Sequence, residues 1–202
     1  GPGQDKTKFL VIDLCGNVEF FGSTLATDDS APGASIVERV VVRRAALAAL
    51  LSPDDAELRT DLLSHLHAHV AGMDAQRFQV RAKVETVERL GDRAVWDTLT
   101  PDELETEARE VGALPTATDE GEHITARRFD LLILNLQIAL LRNEKRFEAL
   151  RKDLVEQVAG LRDRADNLPM IAARKAVLDE VLGEPFWAGC TVYRLEKVRL
   201  AL

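Results

Sequence analysis

The stretch Ile124-Thr-Ala-Arg-Arg-Phe-Asp-Leu-Leu-Ile-Leu-Asn-Leu-Gln-Ile-Ala-Leu-Leu-Arg142 decides the fold of this protein. Its second half is apolar at almost every position, so a helix formed by it is apolar nearly all round and must be covered by other elements. The apolar run is shorter than the roughly 20 residues that cross a bilayer, and Asn135 and Gln137 interrupt it. We therefore predict that residues 124–142 form the central, most buried helix of a domain.

Helical patterns flank this stretch on both sides. An apolar residue recurs at every fourth position between Leu58 and Val70, and Thr100-Pro-Asp-Glu103 is a capping box with proline in the first turn. Helices are predicted at residues 35–51, 52–72, 76–90, 100–111, 147–168, 170–182 and 192–202. The fold class is therefore mainly α, a multi-helix bundle over residues 35–202, and the Pro/Thr/Gly-rich loop near 113–122 would subdivide it.

The first 34 residues differ in character from the rest. Two apolar runs, Lys8-Phe-Leu-Val-Ile-Asp13 and Val18-Glu-Phe-Phe21, surround a Gly-Asn pair and predict a short strand or hairpin within residues 1–21. One strand of a parallel sheet followed by a loop is the alternative. Residues 22–34 are rich in Ser, Thr, Asp, Gly and Pro, which is typical of a linker.

Composition limits the class of protein and its surroundings. The chain has 202 residues, of which 46% are apolar and 30% charged, as in globular domains. Its net charge is −8, so it lacks the basic footprint of a dedicated nucleic-acid-binding domain. The cysteines, Cys15 and Cys190, fit no disulfide framework and no zinc spacing, and the N-terminus has no signal-peptide pattern. We expect a cytoplasmic protein without a membrane partner.

Three polar patterns are candidates for chemistry. Asp61, His65 and His69 share one face of a predicted helix and could hold a metal ion in a helical hydrolase, but a solvated or half-buried polar face is the favoured interpretation. Asp13 ends an apolar run, yet the chain has no GxxxxGK[ST] loop to bind a nucleotide phosphate. A possible basic contact face, which could meet phosphates or an acidic partner, is formed by Arg142, Lys145, Arg146, Arg151 and Lys152. A solvated helix face is the favoured interpretation of this cluster.

Several stretches, taken in order, resemble one protein family. Asp5-Lys-Thr-Lys-Phe-Leu-Val-Ile-Asp-Leu-Cys-Gly-Asn-Val-Glu-Phe-Phe21 is similar to the segment that leaves the second motor domain in R subunits of type I restriction enzymes. Ala126-Arg-Arg-Phe-Asp-Leu-Leu-Ile-Leu-Asn-Leu-Gln137 resembles a helix of that family's C-terminal domain, of the EcoEI R-protein type. Asn167-Leu-Pro169, Pro185-Phe-Trp187 and Leu195-Glu-Lys-Val-Arg199 resemble its later motifs.

The resemblance implies a role in assembly. R subunits of this kind cleave and translocate DNA with ATP and Mg²⁺, and their C-terminal helical domain is thought to dock the motor on the modification and specificity subunits. The chain would then be a non-catalytic assembly domain without a cofactor of its own, reaching DNA only through the parent complex. Residues 1–21 would be a remnant of the motor domain. A generic helical adaptor is the alternative. The motif residues expected in its core or interface are Phe129, Asp130, Trp187, Leu195, Glu196 and Arg199.

Overall fold

A computed structural model describes residues 33–117, 123–165 and 169–202, and these residues are mainly helical, as predicted. The predicted strand or hairpin at 1–21 lies outside the described residues, as does nearly all of the predicted linker. The helices are α1 (Ile36–Leu50), α2 (Ala56–Ala71), α3 (Phe78–Arg81), α4 (Val84–Leu90), α5 (Arg93–Thr98), α6 (Pro101–Val111), α7 (Ile124–Leu141), α8 (Phe147–Arg164), α9 (Pro169–Ala172), α10 (Lys175–Leu182), α11 (Glu184–Ala188) and α12 (Val192–Ala201).

Side-chain caps set the beginnings of two helices where the sequence predicts them. The Ser35 hydroxyl accepts the backbone N–H of Glu38 at 3.1 Å and begins α1. At the start of α6 the Thr100 hydroxyl accepts the N–H of Glu103, and the Glu103 carboxylate accepts the N–H of Thr100 at 2.9 Å. These bonds satisfy backbone donors that the first turn of a helix leaves open.

Two predicted helices are each divided in the structure. The region 76–90 forms α3 and α4, which are separated at Lys83, where φ is −127° and ψ is 22°. The region 170–182 forms α9 and α10, with a break at Arg174 (φ −102°, ψ 0°). Neither break carries Gly or Pro, so periodicity alone predicted one continuous helix in each region. Two further short helices, α5 and α11, lie outside the predicted ranges.

The central helix α7 confirms the prediction made from residues 124–142. All nine residues from Leu131 to Ala139 are buried. Asn143 ends the helix with a φ of 51°, a left-handed conformation that asparagine tolerates better than most residues. No helix within the described ranges is long and apolar enough to cross a membrane.

Two hydrophobic cores lie on different sides of α7. The N-terminal core is formed by α1 to α6 with Val192 of α12, and it takes Leu131, Leu134 and Ile138 from the central helix. The C-terminal core is formed with α8 and α10 to α12 and takes other residues of the same helix, namely Leu132, Ile133, Leu136 and Ala139. Because α7 supplies side chains to both cores, neither core is complete without it.

Each core holds one of the two tryptophans of the chain. The indole N–H of Trp96 donates to the carbonyl of Leu90, and that of Trp187 donates to the carbonyl of Val181, both at 2.8 Å and six residues back. In each case the tryptophan lies in a short helix, α5 or α11, and its hydrogen bond links that helix to the one before it, α4 or α10. Trp187, a motif residue expected in the core or the interface, is buried in the same cluster as four residues of the central helix.

Candidate functional site

Polar residues of two motifs, Ala126–Gln137 and Leu195–Arg199, meet where α7 packs against α12. The Arg199 guanidinium lies 3.2 Å from the Asp130 carboxylate and 2.6 Å from that of Glu196. Asp130 also accepts a hydrogen bond from Arg44 of α1 at 2.9 Å. The side chains of these four residues are only 11–21% exposed. Three helices that are far apart in sequence are therefore joined by one chain of charges.

A buried amide fixes this chain of charges to the helix backbone. Gln137 lies two turns after Asp130 on α7 and is completely buried. Its Nε2 donates to the Glu196 carboxylate at 3.2 Å and to the carbonyl of Val192 at 3.1 Å. The name bridging network is used below for Arg44, Asp130, Gln137, Glu196 and Arg199.

The electrostatics of the bridging network favour the charged form of Arg199. Burial alone would lower the pKa of Arg199, but hydrogen bonds and the charges of Glu196 and Asp130 raise that pKa above its usual value. His65 of α2 lies beside the network. Partial desolvation, together with the positive charges of Arg44 and Arg199, lowers the pKa of His65. A positive charge on the His65 imidazole is therefore unfavourable beside the bridging network.

The apolar motif residues have a different role from the polar ones. Leu195 is completely buried in the C-terminal core, and Phe129 packs against that core. Trp187 is 9% exposed and makes edge-to-face contacts with Phe147 and Phe186 at centroid distances of 6.2 and 5.0 Å. Of the six motif residues, three thus belong to the core and three to the bridging network.

The predicted basic contact face is largely compensated by neighbouring carboxylates. Glu144 pairs with Arg146 and lies 3.8 Å from Arg142. Lys152 lies 3.7 Å from Glu156 and keeps 75% of its side chain exposed. The remaining members of the face are Arg151, which pairs with Glu184 at 2.9 Å and with Glu148 at 3.5 Å, and the exposed Lys145.

Two shallow grooves lie along this basic face. One, of about 370 Å³, is lined by Arg151, Lys152 and Trp187 together with parts of α8, α10 and α11. The Arg151 guanidinium lies 5.1 Å from the centre of the Trp187 ring, which is cation–π distance. The other groove, of about 430 Å³, follows the turn between α7 and α8 and is lined by Lys145 and Phe147 among others.

The histidines of α2 contact backbone groups. Nε2 of His67 donates to the carbonyl of Gly91 at 2.9 Å, and the buried His69 directs Nε2 at the carbonyl of Val111 at 3.4 Å. His65 and Asp61, which lie one and two turns before His69, are exposed. In the described part of the chain, no three His, Cys, Asp or Glu side chains are grouped so that they could hold a metal ion.

Sequence reasoning missed two members of the bridging network. Gln137 lies within a motif and seven residues after Asp130, so helical spacing could have placed both on one face. Arg44 is 86 residues from its partner Asp130, and no local pattern marks it.

Comparison of the chain with protein families, with characterised proteins and with solved structures gave no match.

Proposed function

We propose that this chain is a non-catalytic assembly domain of a type I restriction R subunit, which docks a DNA-translocating motor on the modification and specificity subunits. The observation that carries the proposal is the bridging network. Asp130 belongs to one motif of the resemblance and Glu196 and Arg199 to another, and their side chains are in direct contact. Two motifs whose contacting residues are 66 or more positions apart in the sequence thus form one structural unit, which supports treating them as parts of one family pattern.

The architecture suits a docking role. A helix shared by two cores resists bending, because movement of either core would disturb side chains that both need. The bridging network adds directional contacts across α1, α7 and α12. A platform of this kind can present a surface with little loss of conformational entropy on binding. ATP and Mg²⁺ would belong to the motor and nuclease of the parent subunit.

Co-purification tests the proposal directly. The full chain is expressed with the modification and specificity subunits of a type I restriction system, and the complex is isolated through a tag on the specificity subunit. We expect the chain to elute with both subunits in gel filtration. Elution only as free chain would contradict the docking role, and ATP hydrolysis or DNA cleavage by the purified chain would contradict its non-catalytic character.

A matched pair of variants links the result to the motif residues. Asp130→Lys reverses the charge at the centre of the bridging network and should reduce complex formation. Asp163→Lys makes the same change on an exposed position of α8 and should leave complex formation unchanged. Circular dichroism of both variants separates loss of docking from loss of folding.

A further inference from the structure

Phe78 is the most exposed large apolar side chain in the described part of the molecule, at 87%. It begins α3, in a turn of the chain that runs over residues 76–83 and is called the Phe78 turn below. Burial of a phenylalanine ring stabilises a fold, so a phenylalanine left in water forgoes that stabilisation. Aromatic side chains and arginines are enriched at protein–protein interfaces.

The Phe78 turn is held in place by several contacts. Val80, two residues after Phe78, is completely buried in the N-terminal core. The Lys83 ammonium lies 3.2 Å from the Glu110 carboxylate of α6. Before the turn, Met73 pairs with Thr116 in an antiparallel bridge. Phe78 is thus presented to solvent by a fixed support, and binding through it would require little further ordering.

The charge of the Phe78 turn selects the kind of partner surface. Residues 76–83, Gln-Arg-Phe-Gln-Val-Arg-Ala-Lys, contain three basic side chains and no acidic one, and of the three Lys83 is paired with Glu110 of α6. Arg77 and Arg81 on either side of Phe78 are exposed. A partner that receives Phe78 would be complementary if an apolar pocket on its surface were edged by carboxylates.

We infer that Phe78 and Arg81 anchor this chain in an apolar pocket with an acidic rim on the modification–specificity complex. The inference rests on the proposed function, for which it names the docking surface. Phe78 would fill the pocket, as the central aromatic residues of interfaces do, and Arg81 would pair with the rim. The rim charges would mainly affect the association rate, and Phe78 the dissociation rate.

Binding of the purified full chain to the immobilised modification–specificity complex tests the inference. We expect Phe78→Ala to weaken binding about 30-fold, as loss of an interface hot spot does. Arg81→Glu should weaken it about tenfold at low salt and less at high salt, since added ions screen exposed charges. The matched control is Leu200→Ala on α12, which removes another exposed apolar side chain, 70% exposed, and should change affinity less than about threefold.

The outcomes separate this inference from the proposed function. If the wild-type chain binds and Phe78→Ala binds equally well, the Phe78 turn is not the anchor, while the docking role stands. If the wild-type chain does not bind, both are overturned.

A second assay uses a fluorescein-labelled oligothymidine. If Phe78→Ala abolishes binding to this oligonucleotide without affecting the protein complex, the turn binds single-stranded DNA by stacking and the inference is wrong. Because the Phe78 side chain is exposed, the melting temperature of the Phe78→Ala variant should match that of the wild type.

Discussion

The two tryptophans of the molecule each donate the indole N–H to a backbone carbonyl six residues earlier, and they differ in how deeply they are buried. Trp96 is completely buried in the N-terminal core, and its ring is surrounded by apolar side chains. Trp187 in the C-terminal core is 9% exposed, and one face of its ring carries the Arg151 guanidinium at the edge of a groove. The same hydrogen-bonded tryptophan is thus fully buried in one core and partly exposed at the edge of a groove in the other.

The difference shows that one side-chain type can serve stability alone or stability together with surface shape. A buried indole contributes through apolar area and one hydrogen bond. An indole at the rim contributes less area, but it provides a flat wall that a guanidinium or a ligand can contact. Four predictions test this contrast and the coupling between the two cores, in order of decreasing effect on the free energy of unfolding.

The largest loss of stability is expected for Trp96→Ala. The substitution removes a completely buried indole and leaves the carbonyl of Leu90 without its donor. We expect the free energy of unfolding to fall by about 4–5 kcal/mol, which is a large part of the stability of a typical domain. Urea unfolding followed by circular dichroism measures the change. A loss below about 2 kcal/mol would show that the N-terminal core does not depend on this tryptophan.

Trp187→Ala should cost less, about 3 kcal/mol, because part of the ring already contacts water. Trp187→Phe keeps an aromatic ring against Phe147 and Phe186 and should recover about half of that loss. The same unfolding assay compares the two variants. If Trp187→Ala destabilises the chain more than Trp96→Ala does, the ranking by depth of burial is wrong.

The bridging network is tested by Arg199→Met. The change leaves Asp130 and Glu196 partly buried without their common partner, and we expect a loss of about 2 kcal/mol. Lys197→Met, two residues earlier on the exposed side of α12, is the matched control and should change stability by less than about 0.5 kcal/mol. Equal effects of the two substitutions would mean that the network contributes nothing beyond the apolar stem of Arg199.

The smallest effect concerns the pH dependence of stability through His65. The charged groups around it are Arg44 on α1, Asp130 on α7, and Glu196 and Arg199 on α12. Because its pKa is lower in the folded than in the unfolded chain, the unfolded chain binds the proton more readily. Stability is therefore complete above the unfolded pKa of about 6.5 and falls as the pH drops below it.

His65→Gln should remove this contribution to the pH dependence. We expect the stability difference between the variant and the wild type to shift in favour of the variant from pH 7.5 to pH 5.5. Thermal melts over that range measure it, with His123→Gln, which lies at the start of α7, as the control. A difference that is constant with pH would show that neither desolvation nor the two arginines lower the pKa of the imidazole in the folded chain.

Much of the helical framework could be predicted from the sequence, because its signals are local. The capping box at Thr100 and the serine cap at Ser35 give the beginnings of α6 and α1, and the apolar composition of residues 124–142 gives the buried central helix. The break at Lys83 could not be predicted, since it depends on how α3 and α4 reach the same core and not on a helix-breaking residue.

The candidate site was only partly predictable for the same reason. Glu196 and Arg199 are three residues apart, so their pairing follows from helical spacing. Their contacts with Asp130 and Arg44 join segments far apart in the chain, and pairing over such distances is a property of tertiary packing. The division of α7 between two cores likewise requires knowing which helices cover each of its sides.

Because the two cores share α7, we expect them to unfold as one unit, and each core contains one tryptophan that can report on it. In a Trp96→Phe background, the fluorescence of Trp187 reports only on the C-terminal core. Leu63→Ala is then introduced into the N-terminal core, where Leu63 is completely buried, at a cost of about 3 kcal/mol. We expect the urea midpoint seen by Trp187 to fall together with that seen by circular dichroism. A Trp187 midpoint that stays unchanged while circular dichroism shows an earlier transition would mean that the cores unfold independently, which contradicts the shared platform.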